Sequence, residues 1–218
     1  MAFVNVNKPA GLSPIAYLNG ANYDGRANTY GILAANTNPF YPGDIVKLVN
    51  GGMSNGVPSI TLATPGDTVI GVVIALGSNG AALFPDAGPY VNPQNMGNIL
   101  YRPTGAQATD YYALVSDDPN IIYEVQEGGA GTNYTKASVG RYAPFLYAAP
   151  TNPAVNPVSN TVINNAAATT TAVGDLFLYR FVRRIDNNFV TSPATGGGAQ
   201  KWQVLLGRHQ FVTRPAAN

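Results

Sequence analysis

His209 is the one histidine in 218 residues and there is no cysteine, so a hydrolase built on a histidine-activated nucleophile would have to pair a serine with this imidazole. That mechanism needs a serine held in a sharp strand-to-helix turn and an acid that orients the base. No serine here lies in such a turn pattern, and no acid is spaced to pair with His209, which therefore reads as a packed or hydrogen-bonded structural residue. Asp117 and Asp118 are the place to look for a two-carboxylate mechanism, but they sit in Ser116-Asp-Asp-Pro-Asn120, a tight bend whose side chains cap backbone amides. The two glutamates, Glu124 and Glu127, are three residues apart, and in a strand that puts them on opposite faces. One histidine, no cysteine and scattered aspartates give no recognisable metal-ligand spacing. Gly128-Gly129 and Gly196-Gly197-Gly198 lack the flanking pattern of a phosphate-binding loop and read as loop tips. Arg183-Arg184 could meet a phosphate, but adjacent strand residues face opposite ways. No enzyme, cofactor or metal is expected.

The elements that would position these residues read as strands. Asp44–Asn50 and Val57–Ala63 flank Asn50-Gly51 and Asn55-Gly56, the dipeptides that close a hairpin, with Pro58 near a strand start. Thr68–Leu76 is apolar at nearly every position, as a strand covered on both faces would be. Tyr111–Val115 and Ile121–Val125 flank the Asp-Pro-Asn bend. Leu176–Ile185 places Phe177, Tyr179, Phe181 and Ile185 on one face and Arg180 and Arg184 on the other, and Trp202, Val204 and Leu206 alternate in the last clear strand. Gly-Asp precedes an apolar run three times, at Gly43-Asp44, Gly66-Asp67 and Gly174-Asp175, where glycine makes the turn and aspartate holds backbone amides. The chain therefore reads as all-β, a compact β-barrel or β-sandwich with long ordered loops. Residues 1–43, rich in Asn, Gly, Pro and Tyr, read as an extended N-terminal arm before a β domain over 44–218, with loop-rich insertions around 81–108 and 128–171.

Composition bounds the partners. Lys, Arg, Asp and Glu make up 11% of the residues, against about 25% in an ordinary globular domain. Asn, Gly, Pro and Tyr take their place and supply turns and rigid, half-apolar contact area. A net charge of +1 provides no field that gathers nucleic acid or anionic lipid. The apolar run at Val69–Leu76 is far short of the roughly 20 residues that cross a bilayer, and Lys8, Pro9 and Pro14 interrupt the segment where a signal peptide would be apolar. Neither membrane nor nucleic acid is expected as a partner. Scarce charge combined with long loops points instead to assembly with other protein surfaces, through contacts that depend only weakly on salt.

Three stretches resemble the small capsid decoration, or cement, proteins of tailed bacteriophages. One is Gly11-Leu-Ser-Pro-Ile-Ala-Tyr-Leu-Asn-Gly20 with Tyr41-Pro-Gly-Asp-Ile-Val-Lys47. Another runs Tyr111-Tyr-Ala-Leu-Val-Ser-Asp-Asp-Pro-Asn-Ile-Ile-Tyr-Glu-Val-Gln-Glu127. The third is Arg183-Arg-Ile-Asp-Asn-Asn188 with Lys201-Trp-Gln-Val-Leu-Leu-Gly-Arg-His-Gln210. The pattern is departed from at Gly207-Arg208 and in the middle loops. The resemblance implies a structural virion protein, a homotrimer assembled in the host cytoplasm, that sits on the outer surface of the capsid and bridges major capsid protein subunits. On that reading the arm (Asn7–Tyr30) and the Pro-rich loop (Phe84–Pro103) carry much of the contact, with Tyr17, Leu18, Tyr23 and Tyr90 as apolar anchors. The alternative is a receptor-binding or fibre module of the virion tail, although the short repeats usual in fibres are not visible.

Overall fold

A computed structural model describes residues 5–54, 56–78, 99–129, 131–185, 187 and 199–214. The described residues form an all-β protein of two joined parts. Five strands, β2 (Asn28–Ile32), β3 (Ile45–Gly52), β4 (Pro58–Leu62), β5 (Gly71–Ser78) and β6 (Tyr111–Ser116), close into a barrel in the order β2-β4-β3-β5-β6. The second part is a seven-stranded sheet. It contains β1 (Ser13–Tyr17), β7 (Ile121–Gly128), β8 (Tyr142–Ala143), β9 (Phe145–Leu146), β10 (Val162–Asn164), β11 (Leu176–Phe181) and β12 (Lys201–Leu206). Its order is β8-β11-β12-β7-β10-β9, with β1 also paired to β7. A small hairpin, β13 (Arg208–His209) with β14 (Val212–Thr213), follows, and the one described helical turn is a 3-10 turn at Lys136–Ser138.

The expected hairpin is β3–β4, in register from Val46↔Leu62 to Leu48↔Ile60, with Pro58 opening β4. Gly51 near the end of β3 and Gly56 in the connection take φ of 93° and 82°, the left-handed region that glycine enters without cost. The apolar run before Leu76 is covered on both faces, as anticipated, because β5 and the start of β3 form a wall shared by two cores. Ile45 and Val72 pack in the core against the sheet with Trp202, Tyr123, Leu178 and Leu206. Their neighbours Val46 and Val73 pack in the other core with Ile32, Phe40, Ile60, Leu76 and Val115, drawn from all five barrel strands. Each such fully buried large side chain contributes roughly 1.5–3 kcal/mol. Tyr123 on the sheet bonds across to the barrel, its hydroxyl donating to the Ser116 carbonyl at 2.9 Å.

Three expectations change. First, residues 1–43 are not a free arm over their strands: β1 runs antiparallel to β7 from Ser13↔Glu124 to Tyr17↔Ile121, and β2 closes the barrel against β6. Leu12 is buried in the sheet core, and its amide donates to the Gly43 carbonyl at 3.0 Å. Gly11, at φ 63°, lies so close that a Cβ there would stand 2.5 Å from the Gly43 oxygen, so only glycine fits this approach. Local composition hid these strands because each borrows its order from a partner about 80 to 110 residues away.

Second, the faces of β11 are not those of a regular alternation. Leu176 and Leu178 are buried while Phe177 and Tyr179 are half-buried, and the register slips between Leu178↔Val204 and Arg180↔Gln203. This bulge reverses the alternation, so Phe181 turns in edge-on to Trp202 at 5.4 Å, and Ile185 lies beyond the strand, exposed. Third, the 128–171 stretch contributes β8, β9 and β10, each only two or three residues long. Such strands are too short to show an alternation in the sequence.

Candidate interaction surface

The chain turns back after β1 through Leu18-Asn19-Gly20, held by amide bonds from Gly20 to Tyr17 and from Tyr17 to Ala21, at 3.0 and 2.8 Å. This turn brings Tyr23 beside Tyr17, with ring centroids 5.9 Å apart, and both rings lean on the sheet core. The Tyr17 hydroxyl donates to Asp24 at 3.0 Å, and that of Tyr23 to the Arg26 carbonyl at 2.8 Å. Burial, then the nearby Tyr17 and Asp24, pushes the Tyr23 phenol up to about 12. Leu18 is tied by its amide to the Asn120 carbonyl at 2.9 Å, but its side chain remains 40% exposed. Three of the four expected anchors therefore form one ridge, while Tyr90 lies outside the described residues, as does most of Phe84–Pro103.

Beside the ridge is a groove of about 240 Å³ where the N-terminal segment crosses the barrel, lined by Leu12, Pro14, Tyr23, Pro42, Ile74 and Val158 among others. No described lining residue is charged. An apolar trough bordered by a tyrosine pair suits contact with a protein surface rather than with a polar metabolite.

The residues searched for chemistry are spread apart. His209 is buried in the small hairpin, accepts from the Phe211 amide at Nδ1 (3.2 Å), and is held below its ordinary pKa by burial. Asp118 caps its bend by accepting from the Asn120 amide at 2.7 Å. Asp117 instead ties β6 to β2, accepting from the Tyr30 hydroxyl at 2.7 Å and from Asn28. The two glutamates do face opposite ways. Glu124 pairs with Arg184 on the outside, whereas Glu127 is fully buried and accepts from Trp202 Nε1 at 2.8 Å and the Tyr134 amide at 3.3 Å. Burial raises Glu127 to about 7. Among the described residues no three His, Asp or Glu side chains gather as a metal site, and no helix is long and apolar enough to cross a membrane.

Asp44 and Asp67 hold their own turns as anticipated, whereas Asp175 reaches across to the turn at Gly66, and the three sit in different electrostatic settings. Asp44 is fully buried and accepts from the Tyr41 amide at 2.8 Å, and burial raises it to about 7. Asp67 is lowered to about 2, chiefly by the hydrogen bond from Lys47 at 2.7 Å. Asp175 accepts from the Gly66 amide at 2.9 Å and is raised by burial. Sequence reasoning missed Arg102. It is fully buried in a stretch expected to wander over the surface, and its guanidinium is surrounded by backbone carbonyls. An arginine between Tyr101 and Pro103 carries no local sign of burial. Comparison with protein-family models, with curated proteins and with solved structures finds no match.

Proposed function

We propose that the chain is a capsid decoration protein, binding as a homotrimer to the outer surface of a tailed-phage head and stabilising contacts between major capsid protein subunits. The observation that carries this reading is the uncharged groove with its Tyr17–Tyr23 ridge and exposed Leu18, on a chain with 11% charged residues. Contact of that kind relies on buried area rather than ion pairs, and many modest interfaces around a shell sum to a stability that no single one supplies. The resemblance of the three sequence stretches supports the same reading.

Truncation is a poor test, because deleting residues 1–30 would remove β1 and much of the barrel strand β2. Point substitutions on the ridge avoid this. Leu18→Glu places a charge on an exposed position and should weaken binding to heads lacking the protein by about tenfold or more, while leaving the thermal midpoint near that of the wild type. Tyr23→Ala should weaken it similarly, with some loss of stability. Unchanged occupancy for both variants, measured by co-sedimentation with heads, would remove the ridge from the interface.

A further inference from the structure

On the exposed side of β11 and β12, a second groove of about 540 Å³ is lined by Lys136, Val139, Arg180, Phe181, Arg183 and Gln203. It shares no lining residue with the uncharged groove. Three of the chain's 12 cations meet here. None of the three forms an ion pair among the described residues, although Arg26, Lys47, Arg184 and Arg208 do.

The three described cations lining it are donors. Arg180 gives its Nε–H to Gln203 Oε1 and stacks its guanidinium over Tyr179 at 5.3 Å. Its terminal nitrogens remain as donors, and the Gln203 amide adds its N–H groups beside an oxygen that already accepts from Arg180. Lys136 and Arg183 have no acceptor capacity at all. A ligand that satisfies these cations brings acceptors and negative charge, which carboxylate and phosphate both supply. Two observations separate these. Val139, 43% exposed, and Phe181 add an apolar wall that a sugar-phosphate backbone would not use. Arg184, the next cation along the chain, is already paired with Glu124, so it does not extend the basic surface for a nucleic acid to follow.

We infer that this groove binds a short acidic segment of a partner polypeptide, one presenting two or three carboxylates with apolar residues between them. Arg180 lies on β11 and Lys136 in a turn, each held by main-chain bonds, with Leu178 of β11 donating to the Arg141 carbonyl at 2.8 Å and the Thr135–Ser138 capping box closing the start of the 3-10 turn, while Arg183 follows two residues after β11. Two of the three cations are thus held in place before binding. The site does not depend on the partner being a capsid subunit. It predicts that the salt dependence missing from the uncharged groove is concentrated here.

The test uses the full chain and a fluorescein-labelled peptide of three glutamates alternating with leucines, followed by anisotropy at low salt. Binding should weaken by about tenfold or more in Arg180→Glu/Arg183→Glu and again in 0.5 M salt, roughly the effect of losing charge-assisted contacts. Lys136→Glu alone should weaken it by a smaller factor, and Leu18→Glu should leave it unchanged. A peptide with lysines in place of the glutamates should not bind. Failure of the acidic peptide to bind, indifference to both charge reversals, or tighter binding of a twelve-nucleotide single-stranded DNA would overturn the inference. Because the peptide assay needs no capsid, its outcome is separable from that of the head-binding assay.

Discussion

Arg102→Met should lower the unfolding free energy by about 3 kcal/mol, a shift of roughly 10 °C in the thermal midpoint for a chain of this size. The guanidinium is fully buried and has no carboxylate partner among the described residues. It donates to the carbonyls of Asn38 (2.5 Å), Asn36 and Ala34 (3.4 Å), and lies over the rings of Phe40 and Tyr111 at 5.9 and 5.5 Å. The loop from Ala34 to Asn38 thus wraps a single cation whose planar fork reaches several oxygens at once. Its backbone is also bridged to Phe40, with amide–carbonyl bonds of 2.9 and 3.1 Å, so the side chain and main chain of one residue seal this part of the barrel. Methionine fills much of the volume but leaves the Asn36 and Asn38 carbonyls without their donor, each at a cost of about 1–3 kcal/mol where water cannot replace it. Lysine keeps the charge but not the fork, and should recover less than half of the loss. Guanidinium denaturation of the three proteins measures this, and a loss below about 1 kcal/mol for methionine would show that the loop does not depend on the cation.

The second large effect is on pH. Asp44 and Glu127 are both raised to about 7 by burial, against the opposing hydrogen bonds from Ser159 and Tyr41 in one case and from Trp202, Tyr134 and Asn165 in the other. Between their ordinary values near 4 and about 7, the folded chain keeps protons that the unfolded chain has released. Unfolding free energy must then fall as pH rises through this window, by up to about 1.4 kcal/mol per pH unit per group, and level off above it. Asp67 acts in the opposite sense: lowered to about 2, it adds stability above the usual carboxylate range that is lost as pH falls toward 2. Stability should therefore be greatest near pH 4 to 5. Asp44→Asn, which keeps an oxygen for the Tyr41 amide, should retain most of the low-pH stability and reduce the slope between pH 4.5 and 7.5 by about half. Urea unfolding across that range checks this. A wild-type stability that is flat or rising from 4.5 to 7.5 would contradict it.

What the residues revealed in advance follows from how local each signal is. The β3–β4 hairpin, the doubly covered β5 and the Trp202 strand were legible because glycine turns and apolar runs act within a few residues. The Gly43-Asp44 and Gly66-Asp67 turns were legible for the same reason, while Asp175 finds its amide at Gly66, 109 residues away. The roles of β1 and β2 were not, since Ser13–Tyr17 and Asn28–Ile32 become strands only by pairing with β7 and β6. The face of β11 was misread because one bulge reverses a pattern of period two. At the surface, Tyr17, Leu18 and Tyr23 stood out by type alone, but the groove beside them needs Pro42, Ile74 and Val158, brought together by the fold. The Lys136–Arg180–Arg183 groove was invisible for that reason too: its cations are 44 and three residues apart and meet across a turn and a strand.

The proposed place of the chain is the outer surface of a head, and virions carrying it, labelled with a gold-conjugated antibody and viewed by electron microscopy, decide this. Label distributed over the head surface of intact particles is expected. Label confined to the tail, or particles with no label at all, would rule the proposal out.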